Sequence, residues 1–232
     1  MALLIVGVTE NGATAFSTPL DHGDDPDTVV FDQGYKALRP LDASWYGADL
    51  GLRLLVRPLA GEPRPDPVPT RTAAGLIIAD DVVPVTRQRV AAYAVVLSTR
   101  GLLATEYSTR TAVPGRWGMP GGGLDDHESP VDCVCREVQE ETAQHIVLGE
   151  LTKVQTGHWI GRNPGGMIED FHAVRLVYRA TCPDPTEPVV LDHGGSTASA
   201  RWVGLDSWMS LPWTANWMMI LTELLPGSDR PP

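Results

Sequence analysis

One segment, residues 122–144, restricts the fold more than any other part of the chain. Ser129 followed by Pro130 is typical of a helix start, because serine caps the N–H groups of the first turn and proline fits the first helical position. The pair predicts a helix over residues 130–142. At about 100° per residue, one side of this helix becomes a buried apolar stripe, formed by Val131, Val134, Cys135 and Val138.

The same helix carries three glutamates, Glu137, Glu140 and Glu141, on a different face. Like charges at this spacing destabilise an isolated helix by roughly a few tenths of a kcal/mol per pair. A hard divalent cation would turn the repulsion into a binding site, and oxygen ligands favour Mg²⁺ or Mn²⁺ over Zn²⁺. A glutamate-rich face is also typical of a helix that is simply solvated.

Two neighbouring features favour the cation site over the solvated face. Arg136 is placed to pair with one of the carboxylates and to orient it. Gly121, Gly122 and Gly123 precede the helix, and three successive glycines predict a positive φ or a close approach of the backbone to another group. A backbone carbonyl in this turn can complete a metal coordination shell.

This segment resembles the Nudix box, G-x5-E-x7-R-E-U-x-E-E-x-G-U, where U is a bulky apolar residue. The positions that match in register are Gly122, Glu128, Arg136, Glu137, Val138, Glu140 and Glu141. Residues 117–121, which read Trp-Gly-Met-Pro-Gly, also look like the family's usual approach to the box. The general pattern from Arg87 to about Leu225 is similar to the family's domain, whereas the first 80 or so residues are not covered.

The resemblance implies a MutT-like hydrolase that uses Mg²⁺, or Mn²⁺, and water to cleave a diphosphate linkage in a nucleotide-like substrate. Glu137, Glu140 and Glu141 would hold the metal together with the backbone carbonyl of Gly121. Arg136 would orient these glutamates, and it joins them in the expected catalytic set. Gly122 and Glu128 would support the site, with Glu128 as a possible ligand of a further ion. The general base would be a box glutamate or an acid of a later loop.

Residues outside the box are expected to select the substrate. Glu169 and Asp170 precede a predicted strand and are candidates for substrate binding and for the later acid, although they also suit an ordinary polar strand entry. Trp159 and Arg162, beside the Asn-Pro-Gly-Gly loop at residues 163–166, are candidates for substrate binding. The remaining aromatic and imidazole groups considered fit structural roles better: His158, His172, Trp117 and Trp202.

Two positions depart from the box. Ala143 stands where the family has the glycine that ends the helix in a left-handed conformation, and Gln144 stands where it has an apolar residue. Either Ala143 adopts the left-handed conformation at a cost of about 1 kcal/mol, or the helix continues for another turn. Ile146 and Val147 are the expected substitutes for the apolar anchor.

The rest of the chain predicts an α/β fold: a Nudix-type α/β/α sandwich with a mixed sheet, preceded by an N-terminal extension rich in short strands. We place the extension at residues 1–80 and the hydrolase domain at residues 81–232. A final helix is expected around Trp217–Leu224, stopped by Pro226 and Gly227. The predicted strands are residues 3–8, 29–31, 50–56, 73–78, 89–98, 102–107, 148–155, 171–180 and 200–203.

The composition of the chain indicates which kinds of partner and which compartment are expected. The formal net charge is −11, and only Lys36 and Lys153 are lysines, so a nucleic acid polymer is an unfavourable partner and a small anionic substrate is expected. Three cysteines without a framework pattern favour a reduced, cytoplasmic protein. The apolar run at residues 2–8 suits a buried strand, and the sequence predicts no membrane span. A homodimer is possible.

Two other functions share the fold. A non-catalytic Nudix-fold sensor or interaction module would account for the departures at Ala143 and Gln144 and for the unassigned N-terminal region. Isoprenoid diphosphate isomerisation would need a cysteine in an apolar pocket, but Cys133 and Cys135 lie inside the box helix. The sequence has no Walker A loop, no G-x-S-x-G turn and no H-E-x-x-H helix.

Overall fold

A computed structural model describes residues 2–79, 81–163 and 165–225. The chain divides into two compact units, each built from three segments. The first unit draws on residues 1–92, 123–133 and 150–178, and the second on residues 93–122, 134–149 and 179–232. Each unit is described by itself.

The described residues form three α-helices and twelve strands. The helices are α1 (Pro26–Asp32), α2 (Pro130–Thr142) and α3 (Ala215–Leu224). The first six strands are β1 (Leu3–Val8), β2 (Thr14–Pro19), β3 (Tyr35–Tyr46), β4 (Asp49–Pro58), β5 (Arg71–Thr72) and β6 (Val85–Ser98). The other six are β7 (Gly101–Tyr107), β8 (Trp117–Gly118), β9 (Gly121–Gly123), β10 (Val147–Arg162), β11 (Ile168–Thr181) and β12 (Thr197–Val203).

A four-stranded sheet in the first unit has the order β2-β1-β4-β3. Strand β1 is parallel to β4 and antiparallel to β2, and β3 is antiparallel to β4. The two central strands are apolar along most of their length because both of their faces are covered, and Ile5, Leu50 and Leu52 are fully buried.

A larger sheet has the order β12-β7-β6-β11-β10-β5, with β8 paired to β7 and β9 paired to β6. Its β12–β7 and β6–β7 pairs are antiparallel, whereas β10 and β5 are parallel. The predicted α/β class with mixed sheets is therefore confirmed. None of the helices in the described residues combines the length and hydropathy that a membrane span requires.

Two predicted strands in the N-terminal region are wrong. Residues 29–31 lie in helix α1, whose N-cap Asp25 accepts hydrogen bonds from the N–H groups of Asp27 and Thr28. The Asp-Pro pair at 25–26 is a helix-start signal, and it outweighs the short run of β-branched residues that follows. Residues 73–78 are not a strand, since only Arg71 and Thr72 pair there, with β10.

The other predicted strands and both predicted helices are present, with boundaries that differ by a few residues. The predicted stop at Pro226 and Gly227 lies outside the described residues. The segment expected to be a loop before the box helix contains the short strands β8 and β9. A domain boundary at residues 80/81 stays a prediction.

Candidate active site

Helix α2 begins as the sequence predicts. Ser129 Oγ accepts a hydrogen bond from the N–H of Asp132 at 3.1 Å, and the Ser129 hydroxyl donates to the Asp132 carboxylate at 2.7 Å. The reciprocal contact satisfies one of the N–H groups that every helix start leaves without a partner inside the helix. This start sets the register of the glutamates that follow.

The buried face of α2 differs from the predicted stripe. Cys133, Val134 and Val138 are fully buried, whereas Val131 is 45% exposed and Cys135 is only half-buried. The centre of the buried face is therefore rotated away from Val131. The rotation brings Glu141 onto the buried side, because it lies seven residues after Val134 and three after Val138. Glu141, which the sequence places on a face apart from the buried stripe, is therefore itself buried.

Arg136 holds two of the box carboxylates in place. Its Nη1 donates to Glu137 Oε1 at 2.9 Å and to Glu140 Oε2 at 3.0 Å. One guanidinium thus spans both acids, where the sequence predicted a single pair. The contact partly offsets the repulsion between Glu137 and Glu140 and fixes the direction of their remaining oxygens.

Glu141 is the buried acid of the site, with 5% of its surface exposed. The Gly121 N–H donates to Glu141 Oε2 at 2.9 Å, and the Thr197 hydroxyl donates to Oε1. Burial raises the pKa of Glu141 to about 7, although the hydrogen bonds from Thr197 and Gly121 oppose the rise, and the negative charge of Glu137 adds to it. A cation beside this carboxylate would remove the cost of ionising it.

The glycines before the helix have separate roles. Gly121 has φ of 142°, which favours glycine. Gly122 lies so close to the Glu137 carboxylate that a Cβ there would clash with it. A Cβ on Gly123 would likewise clash with the Arg89 guanidinium. Both halves of the prediction, positive φ and close approach, therefore hold. Gly121 contacts Glu141 through its N–H, and the metal-binding role of its carbonyl stays a prediction.

The C-terminal end of α2 is held by a later segment, residues 189–192. The Leu191 N–H donates to the carbonyl of Glu140 at 2.7 Å, and the Val189 N–H donates to the carbonyl of Thr142 at 3.0 Å. These bonds satisfy carbonyls that a helix end leaves without a partner. The helix ends at Thr142, and Ala143 has φ of +55°. Of the two alternatives for Ala143, the left-handed conformation is correct.

We expect Ala143→Gly to stabilise the fold by about 1 kcal/mol, because glycine adopts a positive φ without the Cβ clash that alanine suffers. Differential scanning calorimetry should show a rise in Tm of roughly 2–4 °C. Ala13→Gly is the control, since Ala13 is exposed and is not among the residues of positive φ. If the Ala143→Gly protein is no more stable than the Ala13→Gly protein, the backbone of Ala143 is not strained.

Gln144 occupies the position of the usual apolar anchor, and both ends of its side-chain amide are hydrogen-bonded. It is 2% exposed; its Nε2 donates to Thr186 Oγ1 at 2.9 Å, and its Oε1 accepts from the Thr186 N–H at 3.0 Å. The prediction that Val147 supplies the anchor is wrong, because Val147 is 59% exposed, and Ile146 is only half-buried. A buried polar group costs little when both ends of its amide are hydrogen-bonded.

Five predicted site residues belong to the first unit: Glu128, Trp159, Arg162, Glu169 and Asp170. Glu128 Oε2 accepts from the Asp125 N–H at 3.0 Å, which closes the turn before α2. Glu169 accepts hydrogen bonds from Asn163 and Arg87. Asp170 contacts two histidines, whose hydrogen bonds lower its pKa although burial acts in the opposite direction.

The predicted substrate-binding residues on β10 are engaged within the first unit. Trp159 stacks on Phe171 with ring centroids 4.6 Å apart, and the Arg175 guanidinium lies 5.9 Å from its ring. Arg162 donates to the carbonyl of Gly166 at 2.9 Å. In the second unit, Arg136 links Glu137 to Glu140, Gly121 contacts Glu141, and Gly122 lies against Glu137. The other candidates belong to the first unit.

Sequence reasoning missed Thr197, Ser196 and residues 189–192, because they lie some fifty residues after the box without a recognisable motif. It also missed a cavity of about 310 Å³ in the first unit, lined by Trp45, Arg89, Asp125 and His127 among others. The aromatic predictions hold in part: Trp117 is buried, whereas Trp202 is half-buried and donates to the carbonyl of Thr186.

The donor set fits a hard divalent cation. Glu137, Glu140 and Glu141 offer oxygen atoms only, and Arg136 and Gly121 hold those oxygens in place. Burial raises the pKa of Glu141, and a cation bound beside the carboxylate would lower it. Oxygen ligands with this charge suit Mg²⁺ or Mn²⁺.

Comparisons with known proteins show the family of this chain. A model of the NUDIX domain matches residues 87–221, more than half of the 232 residues, and the chain therefore belongs to the Nudix family. Nudix hydrolase 25 of Arabidopsis thaliana is 40% identical over 53 residues, 23% of this chain and 29% of that protein. RNA pyrophosphohydrolase of Bartonella quintana (strain Toulouse) is 44% identical over 43 residues, 18% of this chain and 25% of that protein.

The chain thus spans less than a third of the length of these curated relatives. Among solved structures, the MutT protein from Methanosarcina mazei Go1 is 18% identical, with a TM-score of 0.45, and the match covers 62% of this chain and 96% of that chain. The family predicted from the box is confirmed by the match to residues 87–221.

Proposed function

We propose that the chain is a Mg²⁺-dependent hydrolase that cleaves a diphosphate linkage in a small, anionic, nucleotide-like substrate. The observation that carries the proposal is the oxygen-only site on α2, where one arginine orients two glutamates and a third glutamate is buried. Family membership supports the same chemistry. A cytoplasmic location and a homodimer stay predictions.

In this proposal each residue of the site has one task. Glu137, Glu140 and Glu141 hold the cation, and Arg136 keeps the first two aligned before substrate arrives. Gly122 leaves room for the Glu137 carboxylate, and Gly121 hydrogen-bonds Glu141. Because the carboxylate oxygens are already oriented, little side-chain conformational entropy is lost when the cation binds.

Bound there, a divalent cation would screen the negative oxygens of a diphosphate and make its phosphorus accessible to water. A net charge of −11 would otherwise repel such a substrate. As the general base we propose a box glutamate, and the role of Glu169, which belongs to the first unit, stays a prediction from the sequence.

The sensor alternative loses part of its motivation in this structure. Ala143 adopts the backbone conformation that the usual glycine would adopt, and Gln144 is buried with its amide satisfied. Both departures from the box are accommodated without loss of a charged residue. We therefore favour the hydrolase.

The proposal is tested by incubating the full chain with a panel of nucleoside diphosphate-linked compounds, with Mg²⁺ or with EDTA, and separating the products by chromatography. We expect at least one compound to be cleaved only with Mg²⁺. Water labelled with ¹⁸O would then show which phosphorus is attacked. A folded sample that binds Mg²⁺ and a panel compound but cleaves none would support the sensor instead.

A further inference from the structure

Three side chains outside the proposed diphosphate site meet in the first unit. Nε2 of His22 lies 3.0 Å from Oδ1 of Asp170, and Nε2 of His158 lies 2.5 Å from the same oxygen. The three atoms lie within 4.8 Å of one another. His22 follows strand β2, whereas His158 and Asp170 lie on β10 and β11, so residues distant in sequence form this histidine–aspartate cluster.

A third imidazole, His172, lies beside the cluster. His172 is 0% exposed, and its ring centroid lies 5.6 Å from that of His22 and 6.0 Å from that of His158. Its Nδ1 contacts Gln88 Nε2 at 3.0 Å. Within residues 2–79, 81–163 and 165–225, Nε2 of His172 and Nδ1 of His22 have no hydrogen-bond partner. A buried polar atom left in this way costs about 1–3 kcal/mol.

The surroundings position the two coordinating imidazoles. Thr70 Oγ1 lies 2.8 Å from Nδ1 of His158. With an ion bound, the hydroxyl would accept a hydrogen bond from Nδ1–H, so that Nε2, which donates to Asp170 in the metal-free protein, would be the coordinating atom. Metal-binding histidines commonly make such a second contact to an oxygen. Gly23 has φ of +85°, and a Cβ there would lie 3.1 Å from the His158 ring. A larger residue would therefore disturb the turn that presents His22.

Two imidazoles and a carboxylate are the donors of a transition-metal site, whereas Mg²⁺ prefers oxygen ligands. In tetrahedral zinc sites, ligand bonds of about 2.0–2.2 Å place neighbouring donor atoms roughly 3.3 Å apart. The two contacts with Asp170, at 3.0 and 2.5 Å, differ from this spacing by less than roughly 1 Å, and the two imidazole nitrogens lie within 4.8 Å of each other.

We propose that His22, His158 and Asp170 bind one divalent transition-metal ion, with Zn²⁺ preferred, at a site separate in chemistry from the oxygen-only site of α2. The ion joins the segment after β2 to strands β10 and β11 and stabilises the first unit. This assignment replaces the earlier expectation that Asp170 contacts substrate. It does not depend on the hydrolase activity.

The experiment uses the full chain, stripped with EDTA and transferred to a buffer with excess Mg²⁺, which occupies oxygen-only sites. Titration with Co²⁺ is followed by the visible absorbance of a nitrogen-containing cobalt site, and Zn²⁺ is then added as the competitor. We expect one Co²⁺ to bind per chain and one Zn²⁺ to displace it. Bound Zn²⁺ should also raise Tm, because it binds only the folded chain.

His22→Ala and Asp170→Asn should each lower the Zn²⁺ affinity by at least about 100-fold. His145→Ala is the matched control, since His145 is exposed, and its affinity should equal that of the unmodified chain. Asp170→Asn keeps the side-chain shape and carries the test if His22→Ala does not fold. No cobalt absorbance, or equal Zn²⁺ affinity in Asp170→Asn and His145→Ala, would overturn the proposal.

Discussion

Glu140→Gln is expected to lower kcat by about 10²- to 10³-fold, because it removes a charged oxygen from the site that stabilises charge during the reaction. The amide oxygen can still accept the hydrogen bond that Arg136 now donates to Glu140 at 3.0 Å. The Glu140 side chain is partly exposed, so the lost ion pair changes the free energy of unfolding by less than about 1 kcal/mol. Turnover with Mg²⁺ and thermal unfolding should be measured on the same preparation.

Glu10→Gln is the control for this experiment. It makes the same change in net charge at an exposed position of the first unit, and it should leave both turnover and Tm unchanged. If Glu140→Gln folds like the unmodified chain and retains full activity, the box glutamates do not carry the reaction, and the proposed mechanism is wrong.

Glu141 should make the metal-free protein less stable as the pH rises. Its folded-state pKa is about 7 against a usual value of 4.5, so between these values the unfolded chain binds fewer protons than the folded chain. The contribution of Glu141 to the free energy of unfolding is therefore fully present below about pH 4.5 and is lost as the pH rises through about 7. The shift corresponds to a loss on the order of 3 kcal/mol, or roughly 6–12 °C in Tm.

The measurement is Tm in EDTA from about pH 5 to about pH 8 for the unmodified chain and for Glu141→Gln. The variant should show a clearly smaller fall, because its amide does not ionise, and Glu10→Gln should show the unmodified fall. Excess Mg²⁺ should restore Tm at the upper pH only in proteins that retain Glu141. Parallel curves for the unmodified chain and Glu141→Gln would contradict the buried-acid account.

Helix α2 shows what the local spacing of residues predicts and what it does not. Ser129 and Pro130 predict the first turn, and spacing of three and four residues predicts which glutamates are neighbours. The same periodicity does not say which side of the helix faces the core. Val131 and Val134 both suit a buried stripe, but only Val134 is buried, and Glu141 takes a place near the centre of that face. Burial depends on what packs against the helix.

The box register, the positions of most strands along the chain and the family were therefore determined by the sequence, because capping, alternation and charge spacing are local properties of the chain. Tertiary structure alone decided that Thr197 hydrogen-bonds Glu141, that residues 189–192 cap α2 and that His22 meets His158 and Asp170. Each of these contacts joins residues tens to more than a hundred positions apart. Such pairings arise from strand order and packing, which no local spacing encodes.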